Sequence, residues 1–527
     1  MVAQISPRYY LEHFESVLDY GRDVYGPMLT ADELRFLDDF EDLSVSARCL
    51  FVRMCNRRGV LFRRLRYPEI DSGALDELRA RGFVRSLTED EVPEAVAKLT
   101  KSELVDTLRR HRRSRKGNKD ELVLRVLEDI PAAALAERLA EFVAVERQGP
   151  VELFKLLYFG TVDGDMSEFV IRDVGHVRLE ERKSFAPRFR SRKAIDDVRE
   201  VELAYRDFRR IRETEGADTV WHWFNRVKLK NLDEAARPLH ARLVGRTGRL
   251  LERAGQPDRA LSVYRHAEEP PSRERRARVL GRMGRVEEAL RECEAIMAAP
   301  FDASERLFAE DFSGRLCGRS RRGQARSFLA ESDEIRLPRT ETVEADAARH
   351  LTGAGQNAAH TENTLWRSLF VLTLWDALFD ESAPVFHTPL QRGPSDLFQK
   401  DFYERHRSAI EAALQSVSLP VLRGRYEKKR GVAAPLMCWD PALEPLIFAC
   451  FDRLQPVQLA AVLREMARDV RNNSRGFPDL FVWGSDTCEF VEVKSPNDQL
   501  SAQQLHWLRF FSESGIRARA VRVVWDD

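Results

Sequence analysis

The apolar positions of this chain fall into runs of different period, and their order predicts the architecture. Tyr9, Tyr10, Phe14, Val17 and Leu18 recur at helical spacing, and Leu34, Phe36 and Leu37 follow Thr30-Ala-Asp-Glu33, which has capping-box spacing. Two short helices are expected in Leu99–Leu108 and Gly117–Val126. From about 195 to 335 the pattern stays helical and weakly repeats. Leu250-Leu-Glu-Arg-Ala-Gly255 with Ala260-Leu261 is echoed twenty-nine residues later by Val279-Leu-Gly-Arg-Met-Gly284 with Ala289-Leu290. Leu369–Phe379 is apolar nearly all round and should be a helix buried against a sheet. Near the C-terminus the period changes. Leu480–Trp483 is a short apolar run after Pro478 and reads as a buried strand, Gly484-Ser485-Asp486 as a turn, and Glu489–Lys494 as a half-buried second strand.

These runs divide the chain into a helical N-terminal domain (1–94), a two-helix module (95–130), a linker or helical region (131–194), a helical scaffold (195–337) and a C-terminal α/β domain (338–527). The class expected is multidomain, mainly α, with one α/β domain.

Charge changes the picture locally, not globally. Lysine plus arginine and aspartate plus glutamate both number 85, so the total announces no polyanionic partner and any footprint for one must be a patch. Three stretches qualify. No acid interrupts 51–66, which holds Arg57, Arg58, Arg63 and Arg64 with aromatics at 51 and 62. Arg109 to Lys119 includes Arg109, Arg110, Arg112, Arg113, Lys116 and Lys119 and no acid. The third contains Arg188, Arg190, Arg192 and Lys193, with Phe185 and Phe189 interleaved as an unpaired strand would want, although a linker has the same composition. Such patches suit a phosphate backbone. Seven cysteines without Cys-x-x-Cys spacing suit a reducing compartment and argue against structural zinc. No apolar stretch approaches the ~18 residues of a membrane span, so a soluble intracellular protein is expected, cytoplasmic and nucleoid-associated if bacterial, nuclear if eukaryotic.

The chemistry lies in the C-terminal hairpin. Period two puts Glu492 and Lys494 on one face with Val493 pointing into the core, and the hairpin returns Asp479 beside them. Two carboxylates and an ammonium on one lip suit Mg²⁺ or Mn²⁺, a polarised phosphate oxygen and an activated water that Lys494 orients. His360 and His506 have no partner at ligand spacing and read as polar packing or phosphate contacts.

Gly476-Phe-Pro-Asp-Leu480, Val491-Glu-Val-Lys-Ser-Pro-Asn-Asp-Gln-Leu500 and Gln504-Leu-His-Trp-Leu508 together resemble the VRR-NUC nucleases, a branch of the PD-(D/E)xK fold. Leu61-Phe-Arg-Arg-Leu-Arg-Tyr-Pro-Glu-Ile70 resembles the N-terminal domain of the Fanconi-associated nuclease family, 99–126 a SAP module, and the repeat tetratricopeptide pairs. Over nearly its whole length the chain is similar to that family, in a form without a Cys/His set for a ubiquitin-binding zinc finger. The resemblance implies a Mg²⁺- or Mn²⁺-dependent nuclease cutting branched DNA near 5′ flaps, degrading 5′ to 3′, and acting in interstrand crosslink repair. It implies Glu362 and the Val493 carbonyl as further metal ligands. Gln504 is a candidate for orienting Lys494 or touching phosphate. A junction resolvase shares the same lip but is usually a small single domain. A non-catalytic branched-DNA scaffold would not need all three core residues.

Overall fold

The structure, a computed structural model, describes residues 6–526 apart from 58, 60, 64–66, 68, 176, 319–327, 330, 331, 339, 341, 354, 355 and 497. Two compact units emerge, one of residues 1–175 and 189–199, the other of 176–188 and 200–527. No single described helix is long and apolar enough to cross a membrane.

In the first unit, helices Tyr9–Tyr25, Ala31–Glu41 and Val45–Cys55 form as the spacing predicts, and Thr30 and Glu33 close the expected capping box. Their core is a phenylalanine cluster in which Phe36, Phe40, Phe51 and Phe83 meet with centroids 5.0–6.5 Å apart. The sequence reading missed a three-stranded antiparallel sheet of β1 (Leu61–Arg63), β2 (Val84–Arg85) and β3 (Phe142–Val145), with β3 in the centre. Strands of two to four residues are too short to display a period.

That sheet also removes a boundary. Helices Lys101–Arg110 and Lys119–Asp129, each opened by a capping box, pack Leu104, Leu108, Leu122 and Val126 into one core with Leu61 of β1 and Phe142 of β3. The two-helix module is therefore an insertion between β2 and β3 that shares its host's core, not a bead between 95 and 130.

In the second unit the repeat is real as helix pairs: Arg237–Arg253 with Pro257–Tyr264, then Ser272–Arg282 with Val286–Ala298. Gly255 and Gly284 take φ +73° and +75° at the two turns, a conformation that favours glycine, which explains why the echo includes it. The C-terminal sheet has the order β4-β8-β7-β6-β5, from β4 (Asp333–Leu337), β5 (Asn357–His360), β6 (Leu480–Trp483), β7 (Cys488–Lys494) and β8 (Ala518–Trp525). Its first strand precedes 338, so the α/β domain starts a few residues before the expected boundary.

β7 runs antiparallel to β6 and parallel to β8. It is central and buried on both faces, not half-buried as alternation suggested. Val491 and Val493 face a core with Leu480, Val482, Ala347 and Val521. The opposite face, carrying Phe490, is covered by Phe477 from the loop before β6 and by helices Glu362–Leu378 and Ala502–Glu513 through Trp366, Trp507 and Phe511.

Candidate active site

The register that pairs Leu480 with Val491 sets Asp479 across from Glu492 at the mouth of the β6–β7 hairpin. Asp479 is half-buried, Glu492 has no exposed surface and Lys494 is 8% exposed. Lys494 Nζ lies 2.7 Å from Glu492 Oε1 in an ion pair, and among the described residues no other group donates to either Glu492 oxygen. The Val493 N–H donates to Asp479 Oδ2 at 2.8 Å and fixes that carboxylate against β7.

Burial first, and then the neighbouring Asp479 carboxylate, push the Glu492 pKa up to about 8 despite Lys494. Burial also raises Asp479, and Glu344 adds to it from the first turn of the helix Val343–Leu351. Glu344 carried no signal in the sequence, because it lies far from the hairpin along the chain.

A fully buried acid beside a half-buried one, with Lys494 as the cation at the buried one, forms an arrangement that a hard divalent cation would complete. The residues present therefore fit the metal that the motif implies. Among the described residues, no three His, Cys, Asp or Glu side chains converge at ligand spacing.

Glu362 is brought to the site by its backbone. The N–H groups of Thr361 and Glu362 both donate to the Asp479 carbonyl, at 2.9 and 3.0 Å. Glu362 itself takes φ +38°, a strained value for a non-glycine residue. Its exposed carboxylate accepts from Asn363 Nδ2 at 2.7 Å, and Asn363 Oδ1 accepts from the Phe477 N–H at 3.3 Å.

Gln504 has another job. Its Oε1 accepts from the Ser501 N–H and its own N–H donates to Ser501 Oγ, a capping box at the start of the helix Ala502–Glu513. The Gln504 carbonyl oxygen, the atom an ammonium would need, is thereby engaged at the helix end. His506 faces Glu465 at 3.4 Å.

The basic stretches come out unequal. Arg58 and Arg64 lie outside the described residues. Carboxylates outside the run reach two of its described members: Arg53 pairs with Glu69 and stacks on Tyr10 and Tyr67, and Arg63 pairs with Glu103 and Glu141. Arg57 is exposed and donates to the Tyr67 hydroxyl. The 109–119 connection keeps its character, with Arg109, Arg110, Arg112, Arg113, Lys116 and Lys119 all exposed. Arg109 and Arg110 share Asp106, and Arg113 lies 4.0 Å from Asp129.

The third stretch is structural in large part. Phe189 is buried and Phe185 packs on a core, so neither ring is offered to a base. Arg192 pairs with Glu33 and Asp196, and Lys193 with Asp197. Arg188 is half-buried, and Arg190 is exposed.

A VRR-NUC domain model matches residues 415–525, and a FAN1 HTH domain model matches residues 8–85. The Fanconi-associated nuclease 1 homolog of Pseudomonas aeruginosa is 30% identical over 560 residues, spanning 98% of this chain and 96% of that protein. The Arabidopsis thaliana homolog is 26% identical over 94% of this chain and 64% of its own length. Human Fanconi-associated nuclease 1 is 34% identical over 40% of this chain and 22% of its own. A crystal structure of paFAN1 bound to 5′-flap DNA with a two-nucleotide flap and a gap superposes with a TM-score of 0.84, at 29% identity and full coverage of both chains. With near-complete coverage in both comparisons and the Asp479–Glu492–Lys494 lip in place, this chain belongs to the Fanconi-associated nuclease family.

Proposed function

We propose that the chain hydrolyses phosphodiester bonds in branched DNA near 5′-flap junctions, continues 5′ to 3′, uses Mg²⁺ or Mn²⁺, and serves interstrand crosslink repair. One observation carries the reading: two acids sit opposite each other across a hairpin with a buried lysine on the same face, in a chain whose structural relative was solved on flap DNA. Asp479 and Glu492 would hold the cation, with Glu362 and the Val493 carbonyl as further ligands. The bound cation would supply Lewis-acid polarisation of the phosphate and a more acidic water. Lys494 is held over the acids by its ion pair with Glu492, where its ammonium orients the attacking water and offsets charge gathering on the phosphate. Attack with departure of the 3′ oxygen leaves a 5′-phosphate and a 3′-hydroxyl.

The test is a panel of labelled flap, fork, nicked and four-way substrates with Mn²⁺, with Mg²⁺ and with chelator. Cleavage within a few nucleotides of the 5′-flap junction, dependent on the cation, is expected. Preferential symmetric cutting of the four-way junction would replace the flap reading with a resolvase.

A further inference from the structure

Arg464 and Arg275 each sit on a carboxylate, whereas Arg367 and Arg475, close in sequence to the acids of the lip, do not. Among the described residues, neither Arg367 nor Arg475 makes an ion pair. Arg367, half-buried on the helix Glu362–Leu378, donates from Nε to the Ser474 carbonyl at 2.5 Å. That contact brings its guanidinium to the residue before Arg475. Arg475 is exposed; its Nη2 donates to Asn472 Oδ1 at 2.9 Å, and its carbonyl accepts from Trp507 Nε1 at 3.1 Å. Arg367 follows Glu362 by five residues and Arg475 precedes Asp479 by four, so both belong to the segments that build the acidic lip.

Burial lowers the Arg367 pKa, Arg475 pushes the same way, and Glu362 opposes them. Two cations near each other, one partly desolvated, are unfavourable unless an anion joins them. The lip has the converse difficulty, since its carboxylates repel the polyanion it must receive. Two guanidiniums on the segments that build it answer both, because their planar forks match the non-bridging oxygens of a phosphate.

We infer that Arg367 and Arg475 form a phosphate-binding site for the DNA strand, gripping a phosphodiester next to the one cleaved. This rests on the nuclease reading above. The test is single-turnover cleavage of a flap strand carrying one methylphosphonate at a time, by the wild type, Arg367→Gln, Arg475→Gln, the double variant and Arg475→Lys. At one position other than the scissile one, the neutral linkage should slow the wild type about tenfold, as expected for loss of a charged hydrogen-bonded contact. The double variant should be nearly indifferent there, and Arg475→Lys, which keeps the charge without the fork, should retain only part of the sensitivity. The inference is overturned if the double variant shows the wild-type profile at every position, or slows uniformly without changing it. A wild type that cuts no DNA at all would instead sink the nuclease reading itself, a result distinct from both.

Discussion

Glu492 carries the electrostatic tension of the site: it is fully buried beside Asp479, and its ionised form is disfavoured. Such an acid is retained for what it binds, not for what it stabilises. Glu492→Gln should therefore abolish cleavage and yet raise the melting temperature of the chelator-treated protein. For domains of this size the gain is about 2–4 °C per kcal/mol relieved. Lys494→Ala should also abolish cleavage but lower the melting temperature, since it leaves both acids without their cation. Full activity in Lys494→Ala, or a drop in melting temperature for Glu492→Gln, would contradict these roles. Both are read by thermal unfolding beside single-turnover rates.

The loop that delivers Asp479 depends on Gly476 at the scale of elements. Gly476 takes φ +80°, and a Cβ there would lie 2.8 Å from the Gln503 side chain of the following helix. Gly476→Ala thus meets both strain and a clash, costing about 1–3 kcal/mol. It should also slow cleavage at least about tenfold by shifting Asp479, because small misplacements of reacting groups are expensive. Unchanged rate and melting temperature would mean that the loop is placed without this contact.

A second element-level prediction concerns His387, which is 5% exposed and bonded to the Ala186 carbonyl through Nδ1 and to Ser395 Oγ through Nε2. Burial, reinforced by Arg188, lowers its pKa to about 4 from the ordinary 6.5. The unfolded chain then takes up a proton that the folded chain refuses. Stability is whole above about pH 6.5 and is lost as pH falls towards 4, by up to about 1.4 kcal/mol per pH unit. His387→Gln should flatten that limb in melting curves from pH 4 to 7, and parallel curves would refute it.

For the whole molecule the question is how a chain with zero net charge holds a polyanion. Among the described residues, the side chains of the 109–119 connection stay largely free of distant acids. Replacing Arg109, Arg110, Arg112 and Arg113 together with glutamine should weaken binding to every duplex-containing substrate. The salt dependence should fall by about 0.9 in log–log slope per lost phosphate contact. Because Arg109 and Arg110 share Asp106, their contribution should be the smaller. Cleavage of short single strands should change much less. An unchanged affinity and slope on flap DNA would make the connection a solvated turn.

What the sequence determined by itself was local. The hairpin, its Pro-Asp and Glu-x-Lys, the capping box at Thr30, and the helix pairs that turn at Gly255 and Gly284 were all legible, because each is set by residues a few positions apart. Tertiary structure decided whatever depended on residues far apart in the chain. It buried the face of β7 that alternation had left half-exposed, and it added β3 to close a sheet across the two-helix module. It brought Glu103 and Glu141 to Arg63, and Glu33 to Arg192, pairing within the protein charges that the sequence had offered to phosphate. A run of like charge in sequence records only its own members. Whether it faces solvent or a carboxylate a hundred residues away is settled by packing, where desolvation makes an unpaired charge too costly to leave alone.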